Sequence, residues 1–416
     1  MRVLFVTTDA YPNFGTTVNI LKKLFFDGEL EQKTDEICVF SFKSSIDEPD
    51  YEIIDNVKIY RAMSWLRLSI RGSYSQLSAV DRVKVSFEKV WQRIKYHRYG
   101  HNSYPFIAKE NVNALCREML RINADSFDYI IPIFGCHDAP AAVLKYKPKH
   151  AKIVLYQVDP CSTNWTLDKR DYKKALKFEM DMYRNASAVL TMPVIYNDVQ
   201  HIIPEDWKKK FYPIELPLVT RPPEYEVQQA ENSKIKCVFS GLIYLGIRDP
   251  SYTLKLFRTL IESGKVSLHM VGVRKEELPE IYQDMDVVCY GRVPADKAQQ
   301  VMNEADVLVN IGNLMTNQIP SKIFDYASQG KPILNICKNA NCPTLPYMEK
   351  YPLALSLMED DSQFEDQLTR LKDFLETKSK DRLSFEEVEK TFKSATPAYC
   401  ANWLRDLLNQ LKTDNS

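Results

Sequence analysis

The feature that most constrains this chain is an alternation met twice along its length. Short runs rich in β-branched and aromatic residues are each followed by a longer stretch whose apolar residues recur at helical spacing. That order builds repeated βαβ units around a parallel sheet. In the first half the predicted strands are Val3–Thr7, Ile37–Phe42, Tyr129–Phe134 and Ile153–Gln157, with Val189–Met192 closing the series. Val18, Leu21, Leu24 and Phe25 place a helix over Thr17–Gly28. The second half repeats the plan, with predicted strands at Lys236–Ser240, Val266–Val271, Val287–Cys289, Val307–Asn310 and Pro332–Ile336. Helices are expected between them near Ser251–Ser263, Ala295–Asn303 and Ser321–Ser328.

At 416 residues the chain is too long for one ordinary domain. Pro217–Lys234 is proline-rich and then polar, as an interdomain linker is, which puts a boundary near Leu218–Glu231. The expected organisation is an α/β Rossmann-like domain over residues 1–220, a second over 234–395, and a terminal helix over 396–416. After about Tyr351 the sequence reads as helical and charged, and the apolar stripe of Ala398–Leu411 needs a surface to dock on. In doubly wound domains ligands collect at the C-terminal ends of the strands, and between two such domains a cleft is the expected site.

Charge and cysteine usage narrow the classes. Lys+Arg and Asp+Glu each number 55, so the neutral chain has no global attraction to nucleic acid. Nine cysteines are scattered singly from Cys38 to Cys400 without a C-x-x-C pair, which fits reduced thiols in a cytoplasmic protein better than a disulfide scaffold or zinc ribbon. The apolar run in MRVLFVTTDA is short for a secretory signal, and no run of about 18 apolar residues suggests a membrane span. No D-x-D stands at a strand end, and a metal-independent site is expected.

The most informative stretch is Asn310–Leu334, NIGNLMTNQIPSKIFDYASQGKPIL. A strand leads through a loop to a helix whose start Pro320 marks and which Gly330 ends. The exposed amides of a helix start suit a phosphate, and Ser321 and Lys322 add a hydroxyl and a cation. Asp325 stands one turn on, where its carboxylate can accept from ribose hydroxyls. The plainer alternative is that Ser321 caps and Lys322 is solvated.

PSKIFDYASQGKPIL resembles the C-domain signature of GT-B glycosyltransferases of family 4, in which a carboxylate precedes the helix-ending glycine by five residues, as Asp325 precedes Gly330. The resemblance implies two facing Rossmann-like domains, with the C-terminal helix crossing back to the N-domain, and gives Asp325 the nucleotide ribose. Eight positions earlier the family has a Glu near the sugar, where this chain has Asn317. In FSGLIYLGIRDPSYTLKLF (Phe239–Phe257), Gly241 resembles the family's loop glycine. Arg248, the only cation between Lys236 and Lys255, stands for the one that neutralises the leaving diphosphate. The alternative for Arg248 is a turn pair with Asp249. VVCYGRVPADKAQQVMNEADVLVNIG resembles the nucleobase stretch, which Arg292 and Val293 would line through main chain.

In the first half, YPNFGTTVNILKKL places Gly15 after the first strand without the G-x-G-x-x-G fingerprint, which weighs against hydride transfer. The resemblance has Gly15 approach donor phosphates; a plain turn is the alternative. His137 and Asp159 end two further strands, where α/β sites gather polar groups. His137 can hold a sugar or acceptor hydroxyl, or simply pack; Asp159 can position the acceptor or act as base.

Between Leu66 and Gly100 eight cations face two acids, and Val83, Phe87, Val90, Trp91 and Ile94 share one helical face. Residues 82–98 thus read either as a basic amphipathic helix that settles on anionic lipid or as a core-facing helix with a basic rim. The resemblance implies a nucleotide-sugar donor and a saccharide or lipid-linked acceptor. It also implies no cofactor, retention at the anomeric carbon, and work on bacterial surface polysaccharide in the cytoplasm or at the inner membrane face. A nucleotide-sugar epimerase of the same fold and a non-catalytic nucleotide-sugar-binding protein are the rivals.

Overall fold

The computed structural model describes residues 1–10, 15–70, 75, 77–87, 90, 107–164, 167, 169–223 and 234–413. They form two compact units, Met1–Pro217 with Pro397–Ser416, and Leu218–Thr396.

The first unit is built on β1 (Arg2–Val6), β2 (Glu36–Phe42), β3 (Tyr51–Ile54), β4 (Val57–Ala62), β5 (Tyr129–Phe134), β6 (Lys152–Gln157), β7 (Ala188–Thr191) and β8 (Phe211–Pro213). Their order is β3-β4-β2-β1-β5-β6-β7-β8. All neighbours are parallel except β3 and β4. These two form a hairpin whose turn is Asp55–Asn56, both at positive φ, as a tight hairpin turn requires. β3, β4 and β8 fall outside the expected series. Burial alternates along β3 and much of β4, so neither makes an apolar run, and β8 has three residues.

The first helix, Thr16–Lys22, runs on through a π-helical turn, Lys23–Asp27, to Gly28. There the last helix, Pro397–Thr413, comes close: a Cβ on Gly28 would sit 2.6 Å from the Pro397 carbonyl and 2.8 Å from Ala401 Cβ. That helix buries Leu404, Leu407 and Leu408, and the buried Tyr129 hydroxyl donates to the Leu408 carbonyl.

Residues 79–87 are helical. Val85 is buried with Leu68 and Leu77, whereas Val83 (55% exposed), Phe87 (73%) and Val90 (53%) face solvent. Among the described residues of this stripe none turns to the core, contrary to the core-facing alternative, and Val85, which lies off the stripe, anchors the helix. Residues 88, 89 and 91–98 of the same segment, Trp91 and Ile94 included, lie outside the described residues. No helix among the described residues is long and apolar enough to cross a membrane.

The second unit holds β9 (Ile235–Ser240), β10 (Val266–Val271), β11 (Val287–Gly291), β12 (Val307–Ile311), β13 (Ile333–Cys337) and β14 (Ala354–Met358). They are parallel throughout, in the order β11-β10-β9-β12-β13-β14. β14 corrects the expectation that the chain is helical after Tyr351; its apolar run, ALSLM, is short enough to be read as part of a helix. Leu254 and Phe257 of the helix Ser251–Glu262 join the buried core of this sheet with Phe239, Leu268 and Val309. Of the expected linker, residues 224–233 lie outside the described residues, and Val219 N–H donates to the Ala395 carbonyl at 3.0 Å within this unit.

Both sheets wind outward from an inner pair, β1 with β5 and β9 with β12. Connections leave that pair in opposite directions, which opens a crevice beyond the strand C-termini.

Candidate functional site

In the second unit β9 ends in Ser240, and Gly241 donates its N–H to the Val271 carbonyl at 2.9 Å. The chain then makes a small hairpin. Ile247 and Arg248 both donate to the Tyr244 carbonyl, at 2.9 and 2.8 Å, and Gly246 at φ +82° supplies the left-handed residue of the turn. The hairpin returns the Arg248 side chain to the strand end, where a Cβ on Gly241 would lie 3.6 Å from its Nη1. Arg248 Nε donates to Asn313 Oδ1 at 2.9 Å and Nη1 to the Leu242 carbonyl at 3.3 Å.

The alternative pairing of Arg248 with Asp249 is not formed. Asp249 accepts instead from Ser251 N (2.9 Å) and Oγ (2.6 Å) at the start of the next helix. Among the described residues no ion pair engages Arg248; burial pulls its pKa down, and a guanidinium so lowered still carries its charge at neutral pH.

The neighbouring strand ends are glycines too. A Cβ on Gly272, at φ +91°, would fall 2.5 Å from the Gly241 carbonyl oxygen, and Gly272 donates to the Gly291 carbonyl at 2.8 Å. Gly272 thus lets the ends of β9 and β10 pack backbone against backbone, while the Arg248 side chain lies over Gly241 and that of Arg274 over Gly291. Sequence reasoning missed Gly272; the signal was a glycine directly after an apolar run. Arg292 and the half-buried Val293 follow on edge strand β11, two strand spacings or about 10 Å from β9.

On the other side of β9, Gly312 after β12 donates to the Ile336 carbonyl at 2.8 Å, and Leu314 donates to the Ile247 carbonyl at 2.8 Å. Asn313 and Asn317 on this loop are each 4% exposed. The helix runs Lys322–Ser328, two residues after Pro320, and opens on tight bonds from Ile323 to the Pro320 carbonyl (3.1 Å) and from Phe324 to the Ser321 carbonyl (3.2 Å). The Ser321 side chain caps no amide. Lys322 pairs with Asp325 at 3.1 Å, so the expected cation and carboxylate partly satisfy each other. Buried Tyr326 ties the helix to β9, its hydroxyl accepting from Ser240 N at 2.7 Å and donating to the Ser240 carbonyl at 3.1 Å. Gly241, Arg248, Asn313 and this helix are therefore one connected assembly at the sheet's reversal point.

Beneath the same hairpin opens a cavity of about 470 Å³ lined by Asp249, Lys255, Lys338, Glu359 and Asp361. Its lysines are paired, Lys338 with Glu359 and Lys255 with Asp361, so it offers an anion less than Arg248 does.

The remaining expected residues lie in the first unit. Gly15, at φ +150°, opens the first helix and accepts from Asn19 N at 2.9 Å; its backbone conformation, not crowding, demands glycine. His137 is 8% exposed, with Phe134 and Phe178 edge-on at 5.7 and 6.1 Å, and burial lowers its imidazole to about 4. Asp159 follows β6, and its Oδ2 lies 3.1 Å from where a Gly135 Cβ would be, so that glycine gives the carboxylate its place. The loop carrying Asp159 hangs from a buried carboxyl that sequence reasoning missed. Glu179 accepts from Gln157 Nε2 at 2.8 Å and from Ser162 N at 3.2 Å, and burial raises its pKa.

No protein-family model matches the chain, and no curated protein matches it. Solved structures do. TarM superposes with a TM-score of 0.63 over 99% of this chain and 98% of its own, at 9% identity. The α,α-trehalose 6-phosphate synthase of Burkholderia multivorans gives 0.61 over 100% and 97%, at 9% identity. A putative UDP-N-acetylglucosamine 2-epimerase from Listeria monocytogenes gives 0.52 over 97% and 94%, at 11% identity. The first two are GT-B glycosyltransferases, and the chain has the GT-B fold.

Proposed function

We propose that the chain is a glycosyltransferase that moves a sugar from a nucleotide-diphosphate donor to a saccharide or lipid-linked acceptor. The observation that carries this reading is the Arg248 guanidinium, without a carboxylate partner among the described residues, held at the ends of β9 and β12. When the bond between sugar and diphosphate breaks, negative charge grows on the leaving oxygens, and a fixed cation stabilises that charge more than the ground state. Arg248 takes this role, helped by Lys322; Ser321 and Asn317 line the diphosphate and sugar, Asp325 the ribose, and Arg292 with Val293 the base. The reading assigns charge neutralisation to side chains and invokes no metal. In the first unit Gly15 serves the donor phosphates and His137 and Asp159 the acceptor, and retention follows the family 4 resemblance. The outward apolar stripe with Arg82 and Lys84 supports an acceptor met at an anionic membrane, as in surface polysaccharide assembly.

The likeness to an epimerase favours one second reading, since both chemistries begin by cleaving the same bond. A thermal-shift screen with UDP-, GDP-, ADP- and CMP-sugars identifies the donor, because a ligand bound only by the native state raises the melting point. With that donor, Arg248→Ala is expected to lower turnover at least about 100-fold with the melting temperature unchanged. Near-normal turnover removes Arg248 from the site, product formed without an acceptor favours the epimerase, and binding without turnover favours a non-catalytic protein.

A further inference from the structure

A guanidinium helps a leaving diphosphate only if its donors are aimed and its charge is intact. Arg248 has five N–H donors. Nε is taken by Asn313 Oδ1 at 2.9 Å and one Nη1 hydrogen by the Leu242 carbonyl at 3.3 Å. Among the described residues Nη2 has no protein acceptor. Asn313 is itself fixed: its Nδ2 donates to the Gln318 carbonyl at 3.4 Å, and it sits 4% exposed between Gly312, bonded to the Ile336 carbonyl, and Leu314, bonded to the Ile247 carbonyl. The amide therefore ties the hairpin bearing Arg248 to the loop that leads to Ser321. Its oxygen is neutral, so it orients the guanidinium without the cancellation that a carboxylate at the same place would bring.

We propose that Asn313 is the positioning residue for Arg248, a neutral acceptor that sets the plane of the guanidinium and leaves its remaining donors for a diphosphate. The inference rests on the reading of this unit as a nucleoside-diphosphate site. It places specificity for the anion in a pair of side chains contributed by two loops, one after each strand of the reversal point.

Calorimetry on the full chain tests it, using whichever of UDP, GDP, ADP and CDP binds tightest, with the matching nucleoside as control. Asn313→Ala is expected to weaken the diphosphate about tenfold and leave the nucleoside unchanged. Asn313→Asp keeps the shape and an acceptor but pairs with the guanidinium, so it is expected to weaken the diphosphate to a similar degree; it also answers for Asn313→Ala should that variant unfold. The deciding measurement is the double variant. If Asn313 acts through Arg248, adding Asn313→Ala to Arg248→Ala changes diphosphate affinity less than about twofold. A full tenfold further loss would make Asn313 a structural tie only and overturn the proposal, as would undiminished binding in both single variants. Diphosphate affinity that Arg248→Ala leaves undiminished, or that is missing from the parent for all four nucleotides, defeats the diphosphate reading itself.

Discussion

His137 shows how burial selects a protonation state. Packed against Phe134 and Phe178, its imidazole is lowered to about 4 by desolvation, whereas in an unfolded chain it titrates near about 6.5. The folded state therefore prefers the neutral ring. As pH falls below the unfolded value, the unfolded chain takes the proton first. Stability that is complete above that point drains away until the pH reaches about 4, a loss on the order of 3 kcal/mol. His269, lowered to about 4 mainly by burial, adds its own part in the second unit. Denaturant titrations are expected to show the first unit weakening across this window, and His137→Gln to flatten the slope; an unchanged slope would mean that the ring is solvated. Legibility at this scale followed chemistry rather than contact. Arg248 could be singled out as a candidate because it is the lone cation of its segment, and Asp325 because its distance to Gly330 resembles a known pattern. Asn313, Gly272 and Glu179 were not, since each acts on a partner brought close by the sheet: Asn313 reaches Arg248 across 65 positions of sequence.

Secondary-structure elements were legible in proportion to how fully they are buried. β5, buried along its whole length, was predicted to the residue, while β3, four residues long with Glu52 inside it, left no apolar run to read. The helix over residues 79–87 poses the opposite problem, because periodicity shows that an apolar stripe exists but not which way it faces. Of the helix's three valines only Val85, on the opposite face from the stripe, reaches the core, and Val80 and Val83 stand exposed with Phe87. A stripe of this kind beside Arg82 and Lys84 suits the interface of an anionic bilayer. Sedimentation with phosphatidylglycerol vesicles is expected to carry the chain down, and with neutral vesicles to leave it in solution. Val83→Ser with Phe87→Ser should weaken the partition by on the order of 2 kcal/mol, roughly thirtyfold, without touching the Val85 anchor. Equal binding by parent and variant, or none by either, would remove the membrane from the account.

The molecule as a whole folds as two units, but only one of them is continuous in sequence. The second unit runs from Leu218 to Thr396, whereas the first is completed by Pro397–Ser416. The pattern of Ala398–Leu411 announced a helix with a face to bury; the docking place came only with the resemblance, because an apolar stripe carries no address. Gly28 now shows why the fit is specific: the helix start lies so near that any side chain there would collide with Pro397 and Ala401. Leu404, Leu407 and Leu408 are buried by this docking. At about 1.5–3 kcal/mol for each buried leucine, removing the three would cost as much as many domains have in total. A chain ending at Thr396 is therefore expected to lose the unfolding transition of the first unit at moderate temperature while keeping that of the second. It should still bind the nucleoside diphosphate, since Gly241, Arg248, Asn313 and Asp325 all lie in the continuous unit. Calorimetry that finds both transitions intact would show that the helix is an accessory. Loss of both, with loss of nucleotide, would show that the two units do not fold independently.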